Sequence, residues 1–476
     1  ATGSWLRKTE VSAGKDTDRM INERELAVVA LTDITSGSYN NIALRKILRG
    51  ADKSVSRSFV TELVNGVIRN LIYIDYTLSV FVKSGVKRPF ITNVLRAGAY
   101  QLLFMDARSA AVVNESVNIV KKRGFGDLSA FINGVLRNIE RTKNDMPLPE
   151  KGTARYLSIK YSCPEWIVEY WLNDMSFDEV ESMCAANLTK PAVTVCVNAL
   201  KTDRLSLIKI LADEGVSGAP LRGFPNAVIM TKTQDISKMT VYKDGLFHVM
   251  DSGAMAAVDI MDPKPGDTII DACAAPGGKS FYCAEKMKNT GRIIAIDKYP
   301  RKIDMLLKSA DTLGINIIEA RTADSAAVDP SLENSADALL LDAPCSGLGV
   351  LRKKPDIKYN KTMDDVIALA ETQRALLSAC ASRVKPGGTL TYSVCTVSRA
   401  ETRDIADWFA QNFNFELENI QAENFINSSE IRQETIEENY DDMLVFNTFS
   451  YSDKCVALLP HQYDGDGFFI AKFRKA

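Results

Sequence analysis

In this chain of 476 residues, Cys345 and Cys395 are the side chains from which covalent chemistry is most readily built. Each stands just beyond a short apolar run: Leu339-Leu340-Leu341 leads into Asp342-Ala343-Pro344-Cys345, and Thr391-Tyr392-Ser393-Val394 leads into Cys395-Thr396. A thiolate that adds to C6 of a pyrimidine makes C5 nucleophilic, and that carbon can then take a methyl group from a sulfonium. The cycle needs a nucleophile, an acid that hydrogen-bonds near N3, and a base that removes the C5 proton so that the thiolate leaves. Cys345, Cys395 and Asp342 supply all but an obvious base, a task open to water or to Asp342 itself. Residue type does not decide which thiol attacks. Ser398-Arg399-Ala400-Glu401 has the spacing of a capping box, which predicts a helix N-terminus just after Cys395, and thiolates are favoured beside such termini.

Upstream lies a turn of small residues, Asp271-Ala272-Cys273-Ala274-Ala275-Pro276-Gly277-Gly278-Lys279-Ser280. Such a turn lets backbone close on a ligand and offers the free N–H groups of the helix that follows. It is not a P-loop, because cysteine occupies the place of the first glycine, and it is not G-x-G-x-x-G. Asp297, Asp324 and Asp342 each fall at or just past the end of an apolar run. One such acid is commonly a turn residue or a helix cap. Three of them, together with the small-residue turn, point to an adenosine-bearing cofactor whose ribose hydroxyls a carboxylate accepts.

The elements that must position these residues follow from periodicity. Thr268-Ile269-Ile270, Arg292 to Ile296, Asn316-Ile317-Ile318, Ala338 to Leu341 and Thr389 to Tyr392 read as strands separated by helical spacers. This is the rhythm of a doubly wound, mostly parallel α/β sheet, which binds ligands beyond the carboxyl ends of its strands. Residues 156–250 read as a small α+β subdomain, with helices from Pro164 and over Leu205 to Glu214 and a strand over Ala192 to Val197. Before it, residues 20–145 show spacings of three and four almost throughout, predicting an all-α domain of six or seven helices. Residues 1–19 are polar and without period, a flexible leader, and residues 421–457 have the composition of a variable insertion. The catalytic domain is expected over 251–476.

Bulk properties narrow the class. The nine cysteines are scattered, only two histidines are present, and no short-range pair has zinc-ligand spacing, so neither a bound metal nor a disulfide framework is expected. No apolar run is long enough to cross a bilayer and no secretory leader opens the chain, so a cytoplasmic protein without a membrane partner is expected. The net charge of −2 conceals an asymmetry: residues 20–143 carry 18 Lys/Arg against 10 Asp/Glu. A basic helical domain beside a more acidic remainder suits a polyanionic partner.

Two resemblances sharpen these readings. Arg57 to Arg69, Leu95 to Phe104 and Ala130 to Arg137 resemble the helical domain of the NusB family, which implies RNA binding through basic groups such as Arg45, Lys46, Arg49 and Lys121-Lys122-Arg123. Asp271 to Ser280, Asp297, Asp324, Leu341 to Val350, Lys354 to Tyr359, Tyr392 to Thr396 and Asp466 to Lys472 resemble, in order, the RNA cytosine-C5 methyltransferases of the Nol1/Nop2/Sun group. Val394 departs from the group, which usually has threonine there. The resemblance implies a Rossmann-like, S-adenosyl-L-methionine-dependent domain that methylates C5 of a cytosine in 16S rRNA, within the free RNA or a partly assembled small subunit, and a monomer. It makes Cys395 the attacking thiolate, Cys345 the residue assisting product release, and Asp342 the group at the N3 edge. Cys273, Ala274, Ala275, Pro276, Gly277, Gly278 and Lys279 would wrap the cofactor, with Asp342 beside it, Asp297 at its ribose, Asp324 at its adenine side and Lys302 as a basic contact. The same chemistry on transfer RNA, and an RNA-binding assembly factor that has lost catalysis, are the competing readings.

Overall fold

The computed structural model describes residues 22–476 except 53, 84, 87, 222, 232–234, 421–448, 453 and 463–464; the expected leader and most of the expected insertion lie outside the described residues. The chain divides into two compact units, one ending at Leu148 and one beginning at Pro149.

The first unit is helical: α1 (Glu23–Thr35), α2 (Asn40–Arg49), α3 (Arg57–Arg69), α4 (Leu71–Phe81), α5 (Pro89–Phe104), α6 (Ser109–Lys122) and α7 (Ser129–Thr142). Local chemistry starts several of them. Asn22 accepts a hydrogen bond from the Glu25 N–H, Ser56 accepts from Phe59, and Pro89 opens α5, where its missing N–H costs nothing. The apolar stripes read from sequence become the core: Val60, Leu63, Val67, Leu95, Val113 and Ile132 are buried. Arg45, Arg49, Lys121 and Lys122 remain exposed.

The second unit begins with α8 (Ala154–Lys160), α9 (Glu165–Leu172) and α10 (Phe177–Ala186), followed by β1 (Val193–Val197), α11 (Arg204–Asp213), β2 (Gly218–Pro220), β3 (Ala227–Met230), α12 (Thr240–Lys243) and β4 (Phe247–Val249). The four strands pair antiparallel in the order β2-β3-β1-β4. After α13 (Ser252–Met261) come β5 (Thr268–Asp271), α14 (Gly278–Lys286), β6 (Arg292–Asp297), α15 (Pro300–Leu313), β7 (Ile318–Thr322), β8 (Ala336–Asp342), α16 (Met363–Ala381), β9 (Val384–Val394), α17 (Arg403–Asn412), β10 (Phe415–Leu417), β11 (Phe449–Ser452), β12 (Cys455–Leu458) and β13 (Phe468–Lys475).

These last nine strands form one sheet in the order β11-β12-β13-β9-β8-β5-β6-β7, with β10 added on β13. Strands β5 to β9 pair parallel, as expected; β10 to β13 add antiparallel, so the sheet is mixed rather than mostly parallel. Two of the added strands, β11 and β12, fall at the end of the stretch read as an insertion. Both faces of the sheet are buried. Ile269, Ile293 and Leu340 face one core, Ile270, Ile294 and Leu339 the other, which is why the parallel strands read as continuous apolar runs instead of alternating. Strand order reverses between β5 and β8, since β6 and β7 lie on one side of β5 while β8 and β9 lie on the other. A crevice opens at such a switch point beyond the strand ends.

Candidate active site

The two cysteines meet at that edge. Strands β8 and β9 are parallel neighbours in a register that sets Leu341 opposite Tyr392 and Asp342 opposite Ser393. Chains leaving two adjacent strands at the same level bring their next few residues together, and the Sγ atoms of Cys345 and Cys395 lie 3.2 Å apart. The Cys345 thiol is held well above its ordinary pKa, first by its hydrogen bond to Cys395 and then by burial. The two sulfurs therefore share one hydrogen bond, whose donor the geometry leaves to either thiol.

Asp342 sits beside them with both oxygens engaged. Ser393 donates its hydroxyl to Oδ1 at 3.0 Å, and the Lys279 ammonium lies 2.6 Å from Oδ2. Burial alone would lower the pKa of Lys279, but the Asp342 carboxylate more than offsets this and holds it raised, so the ammonium stays charged. Lys279 comes from the small-residue turn, which reaches the same edge from β5. Its backbone is tied into the sheet by hydrogen bonds from the Ala272 N–H to Leu340 and from the Ala274 N–H to Ile296, both 2.9 Å. Gly277 caps α14 with φ of +114°, and a Cβ there would lie 2.3 Å from the Phe281 ring; a Cβ on Gly278 would meet only Met250, at 3.8 Å. The turn is thus closed behind and open at the start of the helix, as backbone approaching a ligand must be.

The remaining sequence candidates fall along this edge or near it. Cys273 and Ala274 are largely buried and burial pushes the Cys273 thiol up, while Pro276 is exposed. Asp297 ends β6 almost buried, accepts from the Tyr299 N–H at 3.0 Å, and has the Lys302 ammonium 3.9 Å away. Asp324 is exposed just past β7 and accepts from the Ala326 N–H. An open helix N-terminus at the switch point with a carboxylate on the adjacent strand end fits an adenosyl cofactor. Lys279 adds a further link at this edge, its ammonium paired with Asp342.

Glu401 departs from its sequence pattern. No capping box forms at Ser398, whose side chain makes no cap hydrogen bond; a short 3-10 turn over Arg399–Glu401 intervenes before α17. The Glu401 carboxylate turns inward, fully buried, and accepts from the Ser346 N–H at 2.7 Å and from Gln373 Nε2 at 3.1 Å. Gln373 also donates to the Pro344 carbonyl at 3.0 Å, and Tyr392 donates to the Glu401 carbonyl at 2.7 Å. One buried network therefore fixes the segments on both sides of the thiols. A second tie comes from Gly349 and Gly467. The Gly467 N–H donates to the Gly349 carbonyl at 2.7 Å, the Gly349 N–H donates to the Cys395 carbonyl at 3.1 Å, and a Cβ on Gly349 would stand 2.1 Å from the Gly467 oxygen. Burial of a glutamate and the close approach of distant glycines leave no trace in local periodicity.

Residues 258–474 match the family described as 16S rRNA methyltransferase RsmB/F, residues 21–141 match the NusB family, and residues 163–237 match the RsmF/B-like ferredoxin-like domain. A relative from Bacillus subtilis, the probable ribosomal RNA small subunit methyltransferase B, is 34% identical over 458 residues, covering 95% of this chain and 98% of its own. The chain belongs to the RsmB/F family. An RsmB/F relative from Synechocystis with the same description is 33% identical, covering 96% of this chain and all of its own. The crystal structure of PH0851 is 24% identical with a TM-score of 0.76 over 96% of this chain and 99% of that one, a likeness of fold. The chain is thus a ribosomal RNA methyltransferase of the RsmB/F type with S-adenosylmethionine as donor, and its three matched parts are a NusB-like domain, a ferredoxin-like subdomain and a Rossmann-like methyltransferase domain. Among the described residues no helix is long and apolar enough to cross a membrane.

Proposed function

We propose that this RsmB/F protein methylates C5 of a cytosine in 16S rRNA through a covalent Cys395–cytosine adduct, the target position being the cytosine 967 of the members it resembles. The observation that carries the reading is the 3.2 Å approach of Cys345 to Cys395 beside the Asp342 carboxylate. Methylation at a ring nitrogen or a ribose oxygen needs no thiol pair; attack at C6 needs one thiolate and profits from a second, protonated thiol.

The roles follow from the groups present. The Cys395 sulfur bonds to C6, and electron density moves to C5. Asp342, oriented by Ser393 and Lys279, accepts from the exocyclic amine or holds a proton at N3, which lowers the cost of that charge. S-adenosylmethionine supplies an electrophilic methyl group, which C5 takes up. A base, water or Asp342, takes the C5 proton, the C6–S bond breaks with its electron pair returning to Cys395 as thiolate, and Cys345 assists by its hydrogen bond to the departing sulfur. Residues 273–279, Asp297, Lys302 and Asp324 hold the donor, and the exposed basic groups of the first unit hold RNA.

The test is incubation with methyl-labelled S-adenosylmethionine and unmodified small-subunit rRNA, followed by nucleoside analysis. Labelled 5-methylcytidine that disappears in Cys395→Ala is the expected result. Label in transfer RNA alone would discard the substrate, and no label with tight RNA binding would make the chain an assembly factor.

A further inference from the structure

Outside the catalytic edge, one cluster of side chains has no part in the reaction above. Cys196 on β1 and His248 on β4 are direct cross-strand partners in the small subdomain, and they face Glu285 on α14, the helix that begins at the small-residue turn. All three are buried, with relative exposures of 0%, 6% and 4%. One sulfur, one ring nitrogen and one carboxylate oxygen lie within 4.8 Å of one another. The closest pair, His248 Nε2 and Glu285 Oε1, is 3.3 Å apart, and the Cys196 sulfur is 3.8 Å from Glu285 Oε2.

His248 Nε2 and Glu285 Oε1 make a buried ion-pair contact that is poorly aligned for a hydrogen bond, and His248 Nδ1 has no hydrogen-bond partner. A tetrahedral zinc with bonds of about 2.0–2.3 Å spaces its donors by about 3.3–3.5 Å; the imidazole and carboxylate stand at that spacing, and the sulfur, 3.8 Å from the carboxylate, would close in on binding. Glu285 supplies one oxygen, His248 one ring nitrogen and Cys196 its sulfur, and a water would complete the fourth position. A thiolate and a carboxylate also cancel the charge of a divalent ion, as a buried site requires.

We propose that Cys196, His248 and Glu285 bind one zinc ion. Its role is structural: it ties the sheet of the ferredoxin-like subdomain to α14, and so to the turn that carries Gly277, Gly278 and Lys279. One soft thiolate with an imidazole favours zinc over magnesium or calcium. Binding exchanges the Cys196 thiol proton for the metal, with no change of oxidation state. Short-range spacing could not signal this set, because its members stand far apart in sequence and on three different elements.

The experiment is metal analysis of the full-length protein purified without chelator, paired with cobalt(II) titration of the metal-stripped protein. The expected result is one zinc per chain, and with cobalt both visible d–d bands of tetrahedral geometry and a thiolate charge-transfer band. Zinc should persist in Cys345→Ser/Cys395→Ser and be lost in Cys196→Ser and in His248→Gln. Stripping should lower the melting temperature of the wild type but not of the two site variants. Zinc absent from the wild type without a cobalt–thiolate band, or zinc lost with the active-site thiols and kept by His248→Gln, would overturn the proposal. The cobalt spectrum of the unaltered protein decides even if a variant fails to fold.

Discussion

At the scale of single residues, the two thiols are distinguished by their surroundings. Cys345 shares a hydrogen bond with Cys395, and that bond and burial hold its pKa up; the proposed division of labour predicts opposite phenotypes for the two thiols. Cys345→Ala should attack but release slowly, accumulating a protein–RNA adduct visible on a denaturing gel; Cys395→Ala should give none. The reverse pattern would exchange the two roles. Asp342 supplies a second prediction. In Asp342→Asn the carboxylate that Lys279 and Ser393 orient is gone, and single-turnover methyl transfer should fall by about 10²–10⁴-fold, the range of acid–base catalysis. Calorimetric binding of S-adenosylmethionine should survive, and a loss there equal to the loss in rate would make Asp342 a cofactor contact instead.

At the scale of elements, the site depends on what happens just past the strand ends. Glu401 holds the loops after β8 and β9 together, and Glu401→Ala would leave the Ser346 N–H unpaired in a buried place, while Gln373 Nε2 keeps its bond to the Pro344 carbonyl. A donor left unpaired costs about 1–3 kcal/mol. Urea denaturation should register that penalty, and adduct formation should decline with it even though Glu401 touches neither thiol. An unchanged midpoint would remove the network from the account. Asp271, at the end of β5, is fully buried with its pKa raised to about 6 by burial, against which the Ser280 hydroxyl at 2.6 Å only partly compensates. Its folded pKa exceeds its unfolded one, so the charged form is a liability above pH 6, and stability is gained as pH falls from about 6 towards 4. Relative to Asp271→Asn, which does not titrate, the wild type should gain up to about 3 kcal/mol across that window. A constant difference between the two proteins would contradict the assignment.

At the scale of the whole molecule, charge is unevenly distributed between the units, and the basic one belongs to the NusB family. Replacing Arg45, Arg49, Lys121 and Lys122 with alanine in the full-length protein should weaken RNA binding at low salt. The slope of log affinity against log salt should become shallower by about 0.7–0.9 for each RNA phosphate that is no longer neutralised. Unchanged slopes would assign these groups to another partner or to solvation.

The amino-acid order by itself determined a good deal. Helical stripes, apolar strand runs and the small-residue turn defined an all-α part, an α+β part and a Rossmann-like part, because local periodicity records which face of an element is buried. The candidate residues were legible as a group at one sheet edge, since Asp342 ends β8 and Cys345 and Cys395 follow β8 and β9, which are parallel neighbours. The antiparallel half of the sheet was not, because β11 and β12 carry weak local signals and are strands only by pairing with β13 and with each other. Tertiary structure alone decided that Lys279 serves Asp342, that Glu401 turns inward instead of capping a helix, and that Cys196, His248 and Glu285 share one buried place. Each of these depends on the meeting of residues far apart in the chain, and such meetings are set by strand register and helix packing, which a local pattern does not encode.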